Sequence, residues 1–312
     1  MANQGGEGSM TTRRSIGDGQ APSQGVWLPV GSLLLCATLW GVVWYPLRLL
    51  EEAGLSGLWS SLVMYLATLC AVPLIVRGAG RAWRSHLSWL LALALSSGWC
   101  NVAFILAVLD GTVVRVLLLF YLAPLWAVLL GHWLVGERIT PTALVVLTLA
   151  IGGAAVMLWD PAIGLPWPRE RSDWLALSSG FTFGLNNVLV RRLQSVSIGV
   201  KTTTAWLGVV GIALLWLVLS GAELPAVPNG VWLGAGALGL FGMTLMTLSL
   251  QYGVTHLPIQ RSSIILLFEL VAGALSAYWL AGELLHGREW LGGALIVAAA
   301  YVSGRRSPGC AN

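Results

Sequence analysis

The chain has 312 residues, 57% of them hydrophobic and only 10% charged, with a mean hydropathy of +0.80. Soluble domains carry about 25% charged residues, so this chain cannot clothe a soluble surface. Composition also excludes a disordered protein and a collagen-like chain, and the net charge of +4 is no nucleic-acid signal. It is a polytopic membrane protein, with the lipid bilayer as its first partner.

Residues 1–26 are polar and rich in Gly, Ser and Gln, which predicts a disordered cytoplasmic tail and no secretory signal. From Leu28 apolar runs follow almost without pause. A bilayer core about 30 Å thick needs roughly 20 helical residues. Spans are predicted near 28–50, 56–77, 87–109, 112–134, 141–159, 174–192, 202–220, 231–253, 259–281 and 288–304. The breaks are Asp110-Gly111 and His256-Leu257-Pro258. The organisation expected is a first five-helix repeat over 27–160, a linker over 161–172, a second repeat over 173–304 and a cytoplasmic tail over 305–312. With the N-terminus inside, twelve of the seventeen Lys and Arg residues fall in cytoplasmic segments. The positive-inside rule then places both termini in the cytoplasm. Eight tryptophans near span ends, among them Trp27, Trp174 and Trp290, read as interfacial anchors.

An internal repeat is visible. A shift of 146 lays the fourth and fifth spans on the ninth and tenth, bringing Arg115 onto Arg261, Trp133 onto Trp279 and Gly136-Glu137 onto Gly282-Glu283. A shift of 143 lays the first span on the sixth, with Gly41 on Gly184 and Arg48 on Arg191. Five spans per half force the second half to enter the membrane upside down. The fold class is therefore all-α, with ten transmembrane helices in two inverted five-helix repeats. This plan lets two halves rock about a central site.

The segments LLLFYLAPLWAVLLGHWLVGERIT (117–140) and IILLFELVAGALSAYWLAGELLHGREWLGGALIVAAAYV (264–302) resemble the EamA-type transporters of the drug/metabolite transporter superfamily. The shared pattern is a helix ending in Trp-Leu-x-Gly-Glu, then a Gly- and Ala-rich helix. The likeness covers residues 28–304. One departure is plain: relatives carry a Glu-Pro pair in the ninth helix, whereas Glu269 is followed by Leu270 and the proline, Pro124, sits at the equivalent position of the fourth. The resemblance implies export of small metabolites or drugs from a bacterial cytoplasm, hence the inner membrane.

Glu269 is the foremost candidate site residue, because an ionised carboxylate at mid-span costs several kcal/mol. Contact with a substrate amine, proton coupling and a protonated packing role all fit the sequence. Polar stripes at helical spacing add Thr182 and Asn186 with Ser179, Thr247 and Gln251 with Thr244, and Asn101 with Ser97. Their alternative is interhelical hydrogen bonding. Trp40, Trp44, Trp99 and Tyr121 form an aromatic set suited to cationic or amphiphilic substrates, or to plain packing. Pro124 should kink the fourth helix, where the kink serves as a hinge or shapes packing. Arg115 and Arg261 read as snorkelling residues, and Glu137 and Glu283 as salt-bridging or capping residues. Helices five and ten carry Gly152, Gly153, Gly292 and Gly293, suited to close packing or a homodimer contact.

No metal site or cofactor is expected: Cys36, Cys70, Cys100 and Cys310 show no zinc spacing, and the four histidines are unpaired. No HExxH or GxSxG motif and no pair of mid-membrane aspartates supports an enzyme. The function expected is a secondary transporter exporting small organic metabolites, amino acids or similar amphiphiles, by alternating access. The alternatives are a multidrug or cation efflux carrier, then a membrane-embedded enzyme or a scaffold. Sugar-phosphate exchange ranks low, since phosphates call for buried Lys or Arg and the only lysine, Lys201, reads as lying near a span end.

Overall fold

The computed structural model describes residues 27–76, 84–111, 113–159, 168–282 and 286–305. The expected N-terminal tail, Glu283, residues 161–167 of the expected linker and all but the first residue of the C-terminal tail lie outside them. Among the described residues there are no strands and ten helical rods. In the first half these are α1 (Trp27–Glu52), α2 (Gly57–Ile75), α3 (Leu87–Asp110), α4 (Arg115–Val135) and α5 (Pro141–Met157). In the second they are α6 (Arg171–Arg192), α7 (Ile198–Leu219), α8 (Asn229–His256), α9 (Ile259–Ala281) and α10 (Gly287–Arg305). Seven of them, α1–α4 and α7–α9, are long and apolar enough to cross a membrane; α5 is apolar but has 17 residues. Helix α6 is the more polar one, because Asp173, Ser179, Asn186 and Asn187 are buried against other helices.

The ends follow from local chemistry. Helix α3 stops at Asp110 before Gly111, and α8 stops at His256 before Leu257-Pro258. Thr140 caps α5 by accepting from the Ala143 N–H, and Pro141 at the first helical position needs no N–H partner. Helix α6 opens at Arg171, two residues before the expected repeat boundary, through a reciprocal capping box of Glu170 and Asp173. The repeated Trp-Leu-x-Gly-Glu block has a conformational reason: Gly136 ends α4 at φ +76° and Gly282 ends α9 at φ +68°. Only glycine takes that left-handed geometry without strain.

Contacts between rods fix the topology. The Ser32 hydroxyl, near the start of α1, donates to the Ser249 carbonyl near the end of α8. Arg192, at the end of α6, donates to the Leu134 carbonyl at the end of α4. At the opposite face Arg115 of α4 meets Asp173 of α6, and Trp59 of α2 meets Trp232 of α8. So α1 begins on the face where α6 ends, and the two halves are inverted. Neighbours across the halves come in exchanged pairs: α3 with α6 and α8 with α1; α3 with α7 and α8 with α2; α4 with α6 and α9 with α1. The pairs α2·α7, α4·α9 and α5·α10 are their own images.

Glycine sets how closely these pairs approach. A Cβ on Gly41 would lie 2.6 Å from the Glu269 carbonyl oxygen and 2.7 Å from the Gly273 nitrogen. On Gly184, its repeat equivalent, a Cβ would lie 3.0 Å from the Ala123 carbonyl oxygen and 2.9 Å from the Ala127 nitrogen. Those partners are again related by the 146-residue shift. Gly153 and Gly292 face each other's carbonyls across α5·α10, so this close contact is made within the chain. Leu95, Val145, Val218 and Phe241 are exposed on the outer surface, as a lipid-facing surface requires.

Gly208 on α7 makes one of the two tightest approaches among the described glycines, with an added Cβ 2.0 Å from the Ala94 carbonyl oxygen of α3. Gly208→Ala should therefore destabilise the bundle by ~1–3 kcal/mol. Gly152→Ala, with nothing within 4 Å of the new carbon, should leave thermal unfolding in detergent unlowered.

Candidate functional site

Two broken helices meet at the centre of the molecule. Pro124 has no N–H to give the Phe120 carbonyl, and α4 breaks into a turn at Tyr121-Leu122. There the Leu122 N–H reaches back three residues to Leu119 at 3.4 Å. Gly180 of α6 packs over the Phe120 carbonyl, where a Cβ would sit 2.6 Å away. Helix α9 breaks at Leu267, 146 positions after Tyr121, with the Leu267 N–H three residues back on Ile264 at 3.2 Å. No proline is responsible. The α9 backbone at this level lies against Gly41 of α1, and Ser276 donates to the Gly41 carbonyl at 2.9 Å.

These breaks aim two side chains at each other. The Tyr121 hydroxyl donates to Glu269 Oε1, joining the first half to the second. Glu269 borders an internal cavity of about 150 Å³. An apolar protein cavity of that size admits a molecule as large as benzene. Trp40, Phe104, Phe120, Phe183 and Trp206 give it aromatic walls. Amides enter from three helices: Asn101 of α3, Asn186 of α6 and Gln251 of α8. Glu269 is the one Asp, Glu, Lys or Arg among the lining residues.

The amides are held in set orientations. Ser61 donates to Asn101 Oδ1 at 2.5 Å and Ser97 to Asn186 Oδ1 at 2.8 Å. With its oxygen occupied, the Asn101 NH₂ is left as a donor in the cavity wall, while the Ser97 hydroxyl is shared between Asn186 and the Leu93 carbonyl at 2.7 Å. Gln251 Oε1 is buried without any partner, an acceptor kept at a cost. The Trp206 Nε1–H donates to Thr247 Oγ1 at 3.0 Å, and that hydroxyl donates to the Met243 carbonyl at 2.6 Å.

The sequence candidates divide. Glu269, Asn101, Asn186, Gln251, Thr247 and Trp40 line the cavity, and Tyr121 adjoins it through Glu269. Three others do not line it. Trp44 points the other way round α1 and donates to Ser276 Oγ at 2.8 Å. Trp99 donates to Ser178 Oγ and packs edge-on against Trp216. Thr182 returns its hydroxyl to the Ser178 and Ser179 carbonyls on its own helix. Sequence spacing identifies the polar face of a helix but not how far that face is rotated from the centre, so these three fall just off the wall. Arg115, read as snorkelling, instead grips the fully buried Asp173 with two bonds of 2.6 and 2.8 Å.

Lys201 lies near a span end, as the sequence predicts, at the fourth residue of α7, but it does not face solvent there. It is fully buried, with its ammonium on Thr255 Oγ1 at 2.5 Å and the Val190 carbonyl at 3.3 Å. The Thr202-Thr203-Thr204 run beside it, buried with it, is the one nearby polar signal in the sequence. Glu137, read as salt-bridging or capping, does both. It meets Arg191 at 3.4 Å and accepts the Ile259 N–H at 3.0 Å. Burial raises its carboxyl pKa above the usual carboxylate range, against the pull of the Ile259 N–H and Arg191. No group of metal-ligating side chains occurs among the described residues.

The sequence pattern of the EamA-like transporter family matches residues 27–159 and again 171–305, once on each half of this fold. The chain belongs to the EamA-like transporter family. An uncharacterized transporter of Archaeoglobus fulgidus is 27% identical over 274 residues, which is 88% of this chain and 95% of that one. An uncharacterized transporter of Pseudomonas aeruginosa is 26% identical, covering 69% of this chain and 72% of its own length. The uncharacterized transporter YojE of Bacillus subtilis is also 26% identical, covering 73% and 76%. A solved crystal structure superposes with a TM-score of 0.68 over 91% of this transporter and 97% of its own chain. At 19% identity that likeness shows the fold. The protein is thus a multi-pass membrane transporter rather than an enzyme.

Tyr121→Phe removes the hydroxyl donor to Glu269 while keeping the ring. A single hydrogen bond is worth ~0.5–1.5 kcal/mol, so the KM for transported substrate should rise roughly two- to tenfold. Thermal unfolding in detergent should be lowered by no more than that same ~0.5–1.5 kcal/mol.

Proposed function

We propose that this transporter exports small organic metabolites bearing a protonated amine, such as amino acids and related amphiphiles, across a bacterial inner membrane by alternating access. The observation that carries the reading is Glu269: a carboxylate that borders a central, aromatic-walled cavity lined by no Lys or Arg. An ammonium group placed there offsets the desolvation of the carboxylate, and the rings of Trp40 and Trp206 favour a cation near their faces. The NH₂ ends of Asn101 and Asn186 suit the carboxylate of an amino acid, and Gln251 Oε1 awaits a donor. The cavity volume favours a substrate of a few heavy atoms to a single ring. Absence of a cation from the wall equally favours a carrier of simple amines, with no substrate carboxylate at all.

Sidedness rests on charge. With segments assigned by the alternation of ten spans in the sequence, twelve of the seventeen Lys and Arg residues fall on the side where α1 begins, which supports cytoplasmic termini. A lone reactive thiol from Ser195→Cys, in the exposed turn between α6 and α7, should then be modified by an impermeant reagent from the cytoplasmic side only.

Counterflow in proteoliposomes tests the substrate class. Amino acids, their decarboxylated amines, dyes and neutral analogues are offered to vesicles with and without a pH gradient. Amine-bearing compounds should exchange and neutral isosteres should not. Glu269→Gln should lower exchange about tenfold or more, the cost of losing a charged partner worth ~1.5–3 kcal/mol. Wild-type exchange by Glu269→Gln and Glu269→Ala alike would remove the basis of this assignment.

A further inference from the structure

The floor of the central cavity on the α1-start face is formed by Asn186, Ala205 and Gln251. One helical turn further out lie Val190, Lys201 and Thr255, and there the described polar groups of five helices converge. Lys201 of α7 donates to the Thr255 hydroxyl, and that hydroxyl donates to the Gln251 carbonyl at 2.5 Å. Arg191 of α6 donates to the Thr255 main-chain carbonyl at 2.7 Å. The same guanidinium meets Glu137, just past α4, and Glu137 takes the first N–H of α9. Against this stands the other face. Among the described residues Arg48, the repeat equivalent of Arg191, bonds Glu52 on its own helix alone, and the pair is 59% and 61% exposed against 23% and 16% for Arg191 and Glu137. Arg115–Asp173 joins α4 to α6 there, and Arg171–Asp110 joins α6 to α3.

We propose that Glu137, Arg191, Thr255 and Lys201 form the bar that shuts one mouth of the central cavity, and that the transport cycle requires this bar to part. Its charges are unbalanced. Two cations converge on one threonine, and the Glu137 carboxylate meets Arg191 rather than Lys201. Lys201 is fully buried and pairs with no carboxylate among the described residues. A buried ammonium without a counter-charge favours any conformation that hydrates it. Glu137 holds the mouth closed and Lys201 presses it open, so the closed state is stable but reversible. The proposal goes beyond the substrate reading and does not depend on it, because closure is read without substrate.

Two native thiols report the state of the mouth, since Cys36 and Cys100 line the cavity. With Cys70 and Cys310 replaced by Ser, the full-length protein in oriented vesicles is treated with a small impermeant thiol reagent from the face bearing Arg191. Glu137→Gln leaves two cations and no anion, and should speed labelling at least about fivefold. Arg191→Gln cuts the tie to Glu137 and Thr255 and should act in the same direction. Lys201→Met keeps the length, removes the pressing charge, and should slow labelling at least about threefold while slowing exchange. Faster labelling in Glu137→Gln and Arg191→Gln against slower labelling in Lys201→Met is the signature; damage to the fold alone would speed labelling in all three variants. Rates within about twofold of the parent, or changes of one sign throughout, would overturn the proposal. A Glu137→Gln chain that fails to fold leaves Arg191→Gln and Lys201→Met to decide it by the same opposition.

Discussion

A bilayer core offers no water, so each polar group of this chain must find its partner inside the protein. Everything else in the architecture follows from that demand. Backbone groups are satisfied by helix formation. Side chains such as Asp173, Asn186, Gln251 and Lys201 are satisfied, where they are satisfied at all, by other helices. Glycine is the means: Gly41, Gly184 and Gly208 bring backbones close enough for polar side chains to meet across the seam between the halves. Gln251 Oε1, an acceptor still lacking a partner at that seam, stands in the wall of the central cavity beside Asn101 and Asn186.

The internal repeat turns the structure into its own control. Equivalent positions do equivalent things where packing decides, as at Gly41 and Gly184 or the left-handed Gly136 and Gly282. They differ where conformation decides. Tyr121 and Leu267 mark the same break in α4 and α9, yet only α4 carries a proline, and the break in α9 stands beside its close backbone contact with α1. Arg191 and Arg48 are partners under the repeat, one tied across helices and the other solvent-facing. A carrier that alternates between two states by exchanging the roles of its halves would show such inequality in any single conformation.

Charge placement separates two tasks. Glu269 stands among aromatic rings at the centre, where a lone carboxylate has its largest effect on a cationic ligand. Lys201 and Arg191 stand one turn or more beyond the wall, where they act on the closure of the bundle. Arg115 and Asp173 hold α4 to α6 at the far face with a bidentate pair whose carboxylate also accepts the Arg169 and Glu170 N–H groups.

Much of this was legible from residue order alone. Span length, the breaks at Asp110-Gly111 and His256-Pro258, the duplicated Trp-Leu-x-Gly-Glu block and the inversion forced by five spans are one-dimensional facts. So is the oddity of Glu269, because a carboxylate in an apolar run announces itself. Helical period also drew attention to Asn101, Asn186, Thr247 and Gln251. Period names a face, however, and not the neighbour it meets. The rotation of α1, α3 and α6 about their axes placed Trp44, Trp99 and Thr182 off the cavity wall while Trp40, Asn101 and Asn186 came onto it. The convergence of Glu137, Arg191, Lys201 and Thr255 needed four separate stretches of chain to arrive at one spot, and no local pattern encodes such a meeting.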